Sequence, residues 1–185
     1  IGFDWKPRKI AKNQAFLDDL KLPFEPRDYQ LDGFHHALSY KKSLLVSPTA
    51  SGKSLIIYLI VRALNVKTLI IVPTTSLVSQ LFSDFQEYGW DSAKYCHQVY
   101  AGQDKVSDKQ VVISTWQSIY KLNKKTFEPY RLVIGDEAHG FKSKSLTTLM
   151  TKCVNAEYRI GTTGTLDGTQ THKLVLEGLF GKVYK

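Results

Sequence analysis

The sequence predicts an α/β domain in which a mostly parallel β-sheet carries helices on both faces. Three observations support this fold class. Short apolar runs alternate with stretches of helical period, the length of 185 residues suits one ordinary domain, and apolar residues make up 43% of the chain. In sheets of this kind ligands bind at the carboxyl ends of the strands, and the chemically unusual residues of this sequence lie there.

The predicted elements follow one another in a regular order along the chain. Helices are predicted where apolar residues recur three and four positions apart. These stretches are Pro7 to about Leu20, 27–40, 53–64 and 75–88. Short apolar runs predict strands at 43–46, 67–72, 95–100, 110–114, 132–135 and 158–162. We expect residues 1–24 to form a helical segment that leads in from an upstream domain, and residues 25–185 to form the main domain.

Composition and charge restrict the function classes. Lys and Arg outnumber Asp and Glu by 25 to 17, and the net charge of +8 favours a polyanionic partner such as nucleic acid. Cys96 and Cys153 form no zinc-ribbon or disulfide pattern and favour a reducing setting. The longest apolar run, 55–61, is far shorter than the roughly 20 residues of a membrane span. Because the chain begins at Ile1 without a signal-peptide pattern, we expect part of a longer protein in the cytoplasm, that of a host cell if the protein is viral.

The strongest local motif is the loop Ser-Pro-Thr-Ala-Ser-Gly-Lys-Ser at 47–54, between an apolar strand and a helix. Backbone N–H groups at the start of a helix can hold phosphates. Lys53 would reach the β- and γ-phosphates of a nucleotide, and the Ser54 hydroxyl would bind Mg²⁺. The loop departs from the general pattern at Ser47, where Gly is usual. The residues that we predict to bind nucleotide from this loop are Thr49, Ala50, Ser51, Gly52, Lys53 and Ser54.

A second motif, Asp-Glu-Ala-His, places two carboxylates and an imidazole just past the predicted buried strand at 132–135. A buried strand rarely ends in two acids unless a cation lies nearby. Asp136 would hold Mg²⁺, and Glu137 would polarise the water that attacks the γ-phosphate. His139 would hydrogen-bond toward the γ-phosphate or toward a later loop. With Lys53, these are the predicted catalytic residues, although the tetrapeptide alone also fits a surface turn that caps the next helix.

Together the two motifs resemble those of the first motor domain of superfamily-2 helicases of the DEAH-box type. Further segments are similar to motifs of that group and follow in the same order. They are 27–30 (Arg-x-x-Gln), 72–80 (motif Ia), 114–118 (a later strand-contacting motif), 161–165 (motif III) and 179–181 (the closing Leu-Phe-Gly). The resemblance covers about residues 25–185 and implies a RecA-like P-loop NTPase fold.

The resemblance also implies roles for residues outside the two main motifs. Gln30 would read the adenine edge, and Arg27 would lie near the base. The implied DNA contacts are Pro73, Thr74, Gln80, Gly102, Thr115 and Gln117. Thr163, Gly164 and Thr165 would couple the ATP state to the grip on DNA, although Gly164 stands where the family has Ala. Nearby cations would add phosphate contacts or form a solvated face; these are Lys121, Lys124, Lys125, Lys142 and Lys144.

The function that the resemblance implies is an ATP-dependent DNA helicase acting on branched or recombination intermediates, with ATP and Mg²⁺ as cofactors. DNA is favoured over RNA, and no membrane partner is expected. A double-strand translocase that does not unwind, an RNA helicase and a non-hydrolysing binding module stay open as alternatives. Family motors have two RecA-like halves, and the second half supplies an arginine finger worth ~10³–10⁵ in rate. We therefore expect a second RecA-like domain in the full-length protein and little ATP hydrolysis by residues 1–185 alone.

Overall fold

The computed structural model describes residues 15–46, 50–100, 103–137, 143–163, 180 and 183–184. Within these ranges seven parallel strands form one sheet in the order β3-β4-β2-β5-β6-β1-β7. The strands are β1 (Lys42–Val46), β2 (Thr68–Val72), β3 (Cys96–Val99), β4 (Val111–Thr115), β5 (Leu132–Gly135), β6 (Tyr158–Thr163) and β7 (Val183–Tyr184). The predicted parallel sheet is confirmed, and β7 is a strand that the sequence did not predict.

The helices agree with the prediction in the first half of the chain and exceed it in the second. Residues 15–20 are helical and form α1. The other helices are α2 (Asp28–Ser39), α3 (Ala50–Leu64), α4 (Thr75–Glu87), α5 (Ser92–Tyr95), α6 (Trp116–Ile119) and α7 (Ser143–Lys152), with a 3₁₀ turn at Lys124–Phe127. Helix α3 begins three residues before the predicted Lys53, because the end of the phosphate loop forms its first turn.

Each face of the sheet carries its own apolar core, which confirms that helices cover both faces. Helices α2, α3 and α4 pack on one face, and α6 and α7 pack on the other. The run 55–61 of α3 is buried throughout, because this helix lies between the sheet and its neighbours α2 and α4. Among the described residues, no helix has the length and apolar character needed to cross a membrane.

The helical residues before α2 pack onto the same core as α2, α3 and α4. Phe16, Leu17, Leu20 and Leu22 contact this core, and the Phe16 ring stacks on Phe34 at 5.9 Å between centroids. Residues 1–14, which include the predicted start of the first helix, lie outside the described residues. The predicted division between 1–24 and 25–185 stays a prediction.

The order of the strands brings the two main motifs together. Strand β6 lies between β1 and β5, with Val46 paired to Thr163 and Gly135 paired to Gly161. Because all three strands are parallel, the loops that follow β1 and β5 leave the same edge of the sheet. The first turn of α3 and the residues Asp136 and Glu137 therefore lie together at the carboxyl end of β6.

Candidate active site

Lys53, Asp136 and Glu137 form a cluster of one cation and two carboxylates at this edge. Lys53 is only 3% exposed. Its ammonium Nζ forms an ion pair with Oε1 of Glu137 and lies 3.9 Å from Oδ1 of Asp136. Burial lowers the pKa of Lys53, and the negative charge of Asp136 opposes this shift. The structure thus brings together three of the four predicted catalytic residues.

Hydrogen bonds fix the carboxylate of Asp136 in one orientation. The hydroxyl Oγ1 of Thr162 donates to Oδ1 of Asp136 at 2.7 Å, and the backbone N–H of Glu137 donates to the same oxygen at 2.9 Å. The backbone N–H of Asp136 in turn donates to the carbonyl oxygen of Ile71 at 2.9 Å. Thr162 was not among the predicted site residues, since the motif III resemblance directed attention to the three residues after it.

Glu137 has a backbone conformation that non-glycine residues rarely adopt. Its φ of 52° lies in the left-handed region, which costs roughly 1–2 kcal/mol for a residue with a Cβ. Strain of this kind persists where surrounding contacts impose it, and it is concentrated at functional sites. Here the ion pair with Lys53 and the bond to Asp136 supply those contacts. The conformation supports a chemical role for Glu137 over a simple capping turn.

Ser54 and Asp136 provide a donor set that suits Mg²⁺. Both residues are about 5% exposed, and both line the same cleft as Lys53. Mg²⁺ prefers hard oxygen ligands and is commonly held by one or two carboxylates together with substrate phosphates. Among the described residues, no group of three or more His, Cys, Asp or Glu side chains could hold a metal ion. The Ser54 hydroxyl and the Asp136 carboxylate are hard oxygen donors, so they fit an ion that is held together with substrate phosphates.

Gln30 links the segment before α2 to the start of α3. Its Oε1 accepts a hydrogen bond from the backbone N–H of Arg27 at 2.7 Å, and its Nε2 donates to the carbonyl oxygen of Gly52 at 3.5 Å. Gln30 is 6% exposed, and it lines the cleft together with Arg27. The amide thus holds the predicted base-binding segment against the phosphate loop, while its predicted reading of adenine stays a prediction.

The cleft that contains these residues has a volume of about 790 Å³. Its wall also includes residues that were not among the predicted site residues, namely Phe24, Glu25, Tyr29, Leu77, Leu81, Asp84, Glu87 and Tyr88. Half of them, Leu77, Leu81, Asp84 and Glu87, come from α4, where they belong to an ordinary amphipathic helix. Only the three-dimensional fold shows that one side of α4 faces the phosphate loop.

The predicted DNA contacts separate into two groups. Pro73 follows β2, and its carbonyl oxygen accepts a hydrogen bond from Nε2 of Gln117 at 3.4 Å. Thr115 ends β4 beside Val72, so these residues share the carboxyl edge with Thr74, whose side chain caps α4. Gln80 instead lines the cleft that contains Lys53, where its Nε2 donates to Oδ1 of Asp84 at 2.8 Å.

Some predicted site residues lie outside the described residues. They are Thr49, Gly102, His139, Gly164 and Thr165. Ala50 and Ser51 form the first turn of α3, as a phosphate-binding helix start requires. Thr163 is the last residue of β6 and is fully buried.

Residues 23–168 match the ResIII family, described as type III restriction enzyme, res subunit. The chain belongs to this family. It is 32% identical over 184 residues to the ATP-dependent DNA helicase UvsW of Enterobacteria phage T4, and 29% identical over 164 residues to the DNA 3'-5' translocase XPB2 of Sulfurisphaera tokodaii. These alignments cover 95% and 85% of the ResIII chain but only 36% of each relative. The ResIII chain therefore spans about a third of the length of these curated relatives.

Solved structures show the same fold. A crystal structure of the UvsW helicase from bacteriophage T4 matches with a TM-score of 0.84 and 29% identity, over 94% of the ResIII chain and 66% of that structure. The predicted resemblance to the first motor domain of superfamily-2 helicases, and within that group to UvsW, is confirmed. The RecA-like fold predicted with it is confirmed as well.

Proposed function

We propose that this ResIII chain is the ATP-binding half of an ATP-dependent DNA helicase or translocase. One observation carries the proposal: a buried lysine at the start of helix α3 meets the two carboxylates that directly follow strand β5. Phosphoryl transfer by P-loop NTPases needs these groups at the same place. The relatives UvsW and XPB2, named as a DNA helicase and a DNA translocase, support DNA as the polyanion.

Each residue of the cluster has a distinct part in the proposed reaction. The Lys53 ammonium would bind the β- and γ-phosphates, which compete with Glu137 and Asp136 for its charge. Asp136 and Ser54 would hold Mg²⁺, which supplies charge neutralisation at the phosphates when it is bound. Glu137 would orient the attacking water, and release of its carboxylate from Lys53 would leave it able to accept a proton. His139 is proposed to contact the γ-phosphate or a later loop, as the sequence predicts.

We place the DNA contacts at the carboxyl ends of β2 and β4. The supporting observation is that Pro73, Thr74, Thr115 and Gln117 lie together there, and Gly102 is predicted from sequence to join them. Gln80 stays a predicted DNA contact, and its side chain also lines the cleft and donates to Asp84. Branched or recombination intermediates are the proposed substrates, and the cytoplasm is the proposed location. A second RecA-like domain is the proposed partner, in keeping with the partial coverage of the relatives.

A translocase that moves on double-stranded DNA without unwinding is the second candidate. The name of the relative XPB2 supports it, because that protein is described as a translocase. The two candidates share the ATP site and differ in what happens to the duplex. Strand separation measured on a forked duplex, beside ATP hydrolysis on a closed circular duplex, distinguishes them. Unwinding supports a helicase, whereas hydrolysis without unwinding supports a translocase.

The test of the proposed function compares nucleotide binding with hydrolysis in Glu137→Gln. Loss of the carboxylate should lower the rate of DNA-stimulated ATP hydrolysis by at least about 100-fold, since general-base assistance is typically worth 10²–10⁴. The affinity for ATP should stay within a few-fold, because the phosphate-binding Lys53 is retained. Hydrolysis is measured in the full-length protein with single-stranded DNA, branched DNA, RNA or no nucleic acid.

The matched control for this test is Glu157→Gln. This substitution makes the same change of charge, but Glu157 lies just before β6, at the amino edge of the sheet and opposite the cleft. The Glu157→Gln variant should hydrolyse ATP at the wild-type rate. Normal turnover by Glu137→Gln would contradict the catalytic assignment, and stimulation by RNA alone would move the protein to RNA substrates.

A further inference from the structure

A tyrosine outside every sequence motif contacts the predicted metal ligand Ser54. The phenolic oxygen of Tyr88 lies 2.6 Å from Oγ of Ser54, and both side chains are buried in the wall of the cleft. Tyr88 follows α4, 34 residues after Ser54 in sequence, so only the fold brings them together. The distance is that of a strong hydrogen bond between two hydroxyl groups.

Several contacts fix the position of Tyr88. Its backbone N–H donates to the carbonyl oxygen of Asp84 at 3.0 Å, and this bond ends α4. Its ring lies 5.1 Å from that of Tyr58 and 5.8 Å from that of Phe24 between centroids. The Ser54 hydroxyl, in contrast, is on a short side chain with a rotatable proton. These contacts hold the phenolic oxygen at a set position beside Ser54, where it can accept the serine proton.

The chemistry of a serine ligand explains why such a partner matters. A hydroxyl that binds a cation does so through an oxygen lone pair, so its proton has to point to an acceptor elsewhere. The phenolic oxygen of Tyr88 lies at hydrogen-bond distance, where either hydroxyl can donate, and so it can serve as this acceptor. When Ser54 donates to Tyr88, its proton is directed to the phenol, and the serine oxygen presents lone pairs in its remaining directions. In many metal sites, a residue that hydrogen-bonds to a metal ligand orients that ligand.

We propose that Tyr88 is a positioning residue that orients the Ser54 hydroxyl for Mg²⁺. The inference rests on the proposed function, because it needs Mg²⁺ to bind with a nucleotide in this cleft. Tyr88 has no part in the chemical step and acts only through Ser54. It sets how strongly Mg²⁺ improves nucleotide binding.

The test measures ADP affinity with and without Mg²⁺ in Tyr88→Phe, a change that keeps the ring and removes only the hydroxyl. In the wild type, Mg²⁺ should strengthen ADP binding. In Tyr88→Phe this gain should fall by about 10-fold, the lower end of the usual cost of losing such a partner. The affinity for ADP in EDTA should be unchanged, which also shows that the variant is folded.

Tyr58→Phe is the matched control. In the wild type, the ring of Tyr58 belongs to the same buried aromatic group, but the Tyr58 hydroxyl accepts a hydrogen bond from Nη1 of Arg62 at 2.6 Å. This variant should keep the full Mg²⁺ effect. A double-variant cycle adds a second control, because Tyr88→Phe should cause no further loss of the Mg²⁺ effect in a Ser54→Ala background.

The outcomes separate the inference from the proposed function. A wild type that binds no ADP overturns both. If the wild type binds Mg-ADP and the Tyr88→Phe variant shows the same Mg²⁺ dependence, only the positioning role is overturned. Equal losses in Tyr88→Phe and Tyr58→Phe, or an equal loss of affinity in EDTA, would show that Tyr88 only packs the cleft wall.

Discussion

At the residue scale, the two buried cysteines make this ResIII chain less stable at alkaline pH. Burial raises the pKa of Cys153 from 9.0 to about 12, against the opposing charge of Arg159, and burial likewise raises that of Cys96 to about 12. Between these values the unfolded chain loses the thiol proton while the folded chain keeps it. Stability is therefore fully present below pH 9 and falls as pH rises toward 12.

We predict that each thiol makes the free energy of unfolding fall by about 1.4 kcal/mol between pH 8 and pH 10. Urea unfolding of Cys153→Ala and Cys96→Ala at both pH values checks this. Each variant should be less stable than the wild type at pH 8 but lose about 1.4 kcal/mol less between the two pH values, and the double variant should lose still less. The same pH-dependent loss in all four proteins would contradict the assignment to the thiols.

The sequence predicted the charged residues of the site better than their uncharged partners. Lys53, Asp136 and Glu137 are conspicuous in the sequence because a charge next to a buried strand needs a partner to offset the cost of burial. The structure places these three residues in contact. Thr162 and Tyr88 have ordinary local surroundings, a strand and the end of an amphipathic helix. Their importance comes from contacts between distant parts of the chain; the motif III pattern at 161–165 includes Thr162 but does not show its bond to Asp136, and no motif includes Tyr88.

At the scale of single elements, strand β6 is packed so closely that only glycine fits at position 161. A Cβ there would lie 2.8 Å from Cδ1 of Leu44 and 2.8 Å from Cδ2 of Phe180. Real side chains essentially never approach so closely, and both neighbours are fully buried. This explains why a glycine, a weak strand former, lies in the strand between the two motifs.

We predict that Gly161→Ala lowers the free energy of unfolding by about 1–3 kcal/mol, the usual cost of overpacking. Gly33→Ala is the matched control, because a Cβ there would lie 3.4 Å from Cδ1 of Ile56, and alanine favours the helix α2 by about 1 kcal/mol. Urea unfolding compares the two. A Gly161→Ala variant as stable as Gly33→Ala would show that β6 has room to shift.

Short elements limited what the sequence could predict at this scale. Strand β7 has only two residues, Val183–Tyr184, and its register beside β1 depends on the sheet already being formed. Helix α7 buries Leu146, Leu149 and Met150, but the residues around them are mostly polar, so the helical period is hard to recognise in the sequence. Long, strongly periodic segments such as α3 were predicted because their pattern repeats over several turns.

At the scale of the whole molecule, the net charge of +8 can act on DNA through the overall field or through cations that lie at the proposed DNA edge. Lys121 follows α6, which begins directly after the carboxyl end of β4. Lys41 precedes β1 and so lies at the opposite, amino edge of the sheet. Both side chains are exposed, so the two lysines share a charge and differ in position.

We predict that Lys121→Gln weakens single-stranded DNA binding and that Lys41→Gln does not. Loss of one phosphate contact should reduce the slope of log Kobs against log salt concentration by about 0.7 in magnitude, because one fewer counterion equivalent is released. Fluorescence anisotropy with a labelled oligonucleotide over a range of salt concentrations measures the slope. Equal changes in both variants would show that the DNA responds to the overall charge and not to a contact at this edge, and a salt-independent wild type would rule out phosphate contacts as the main source of affinity.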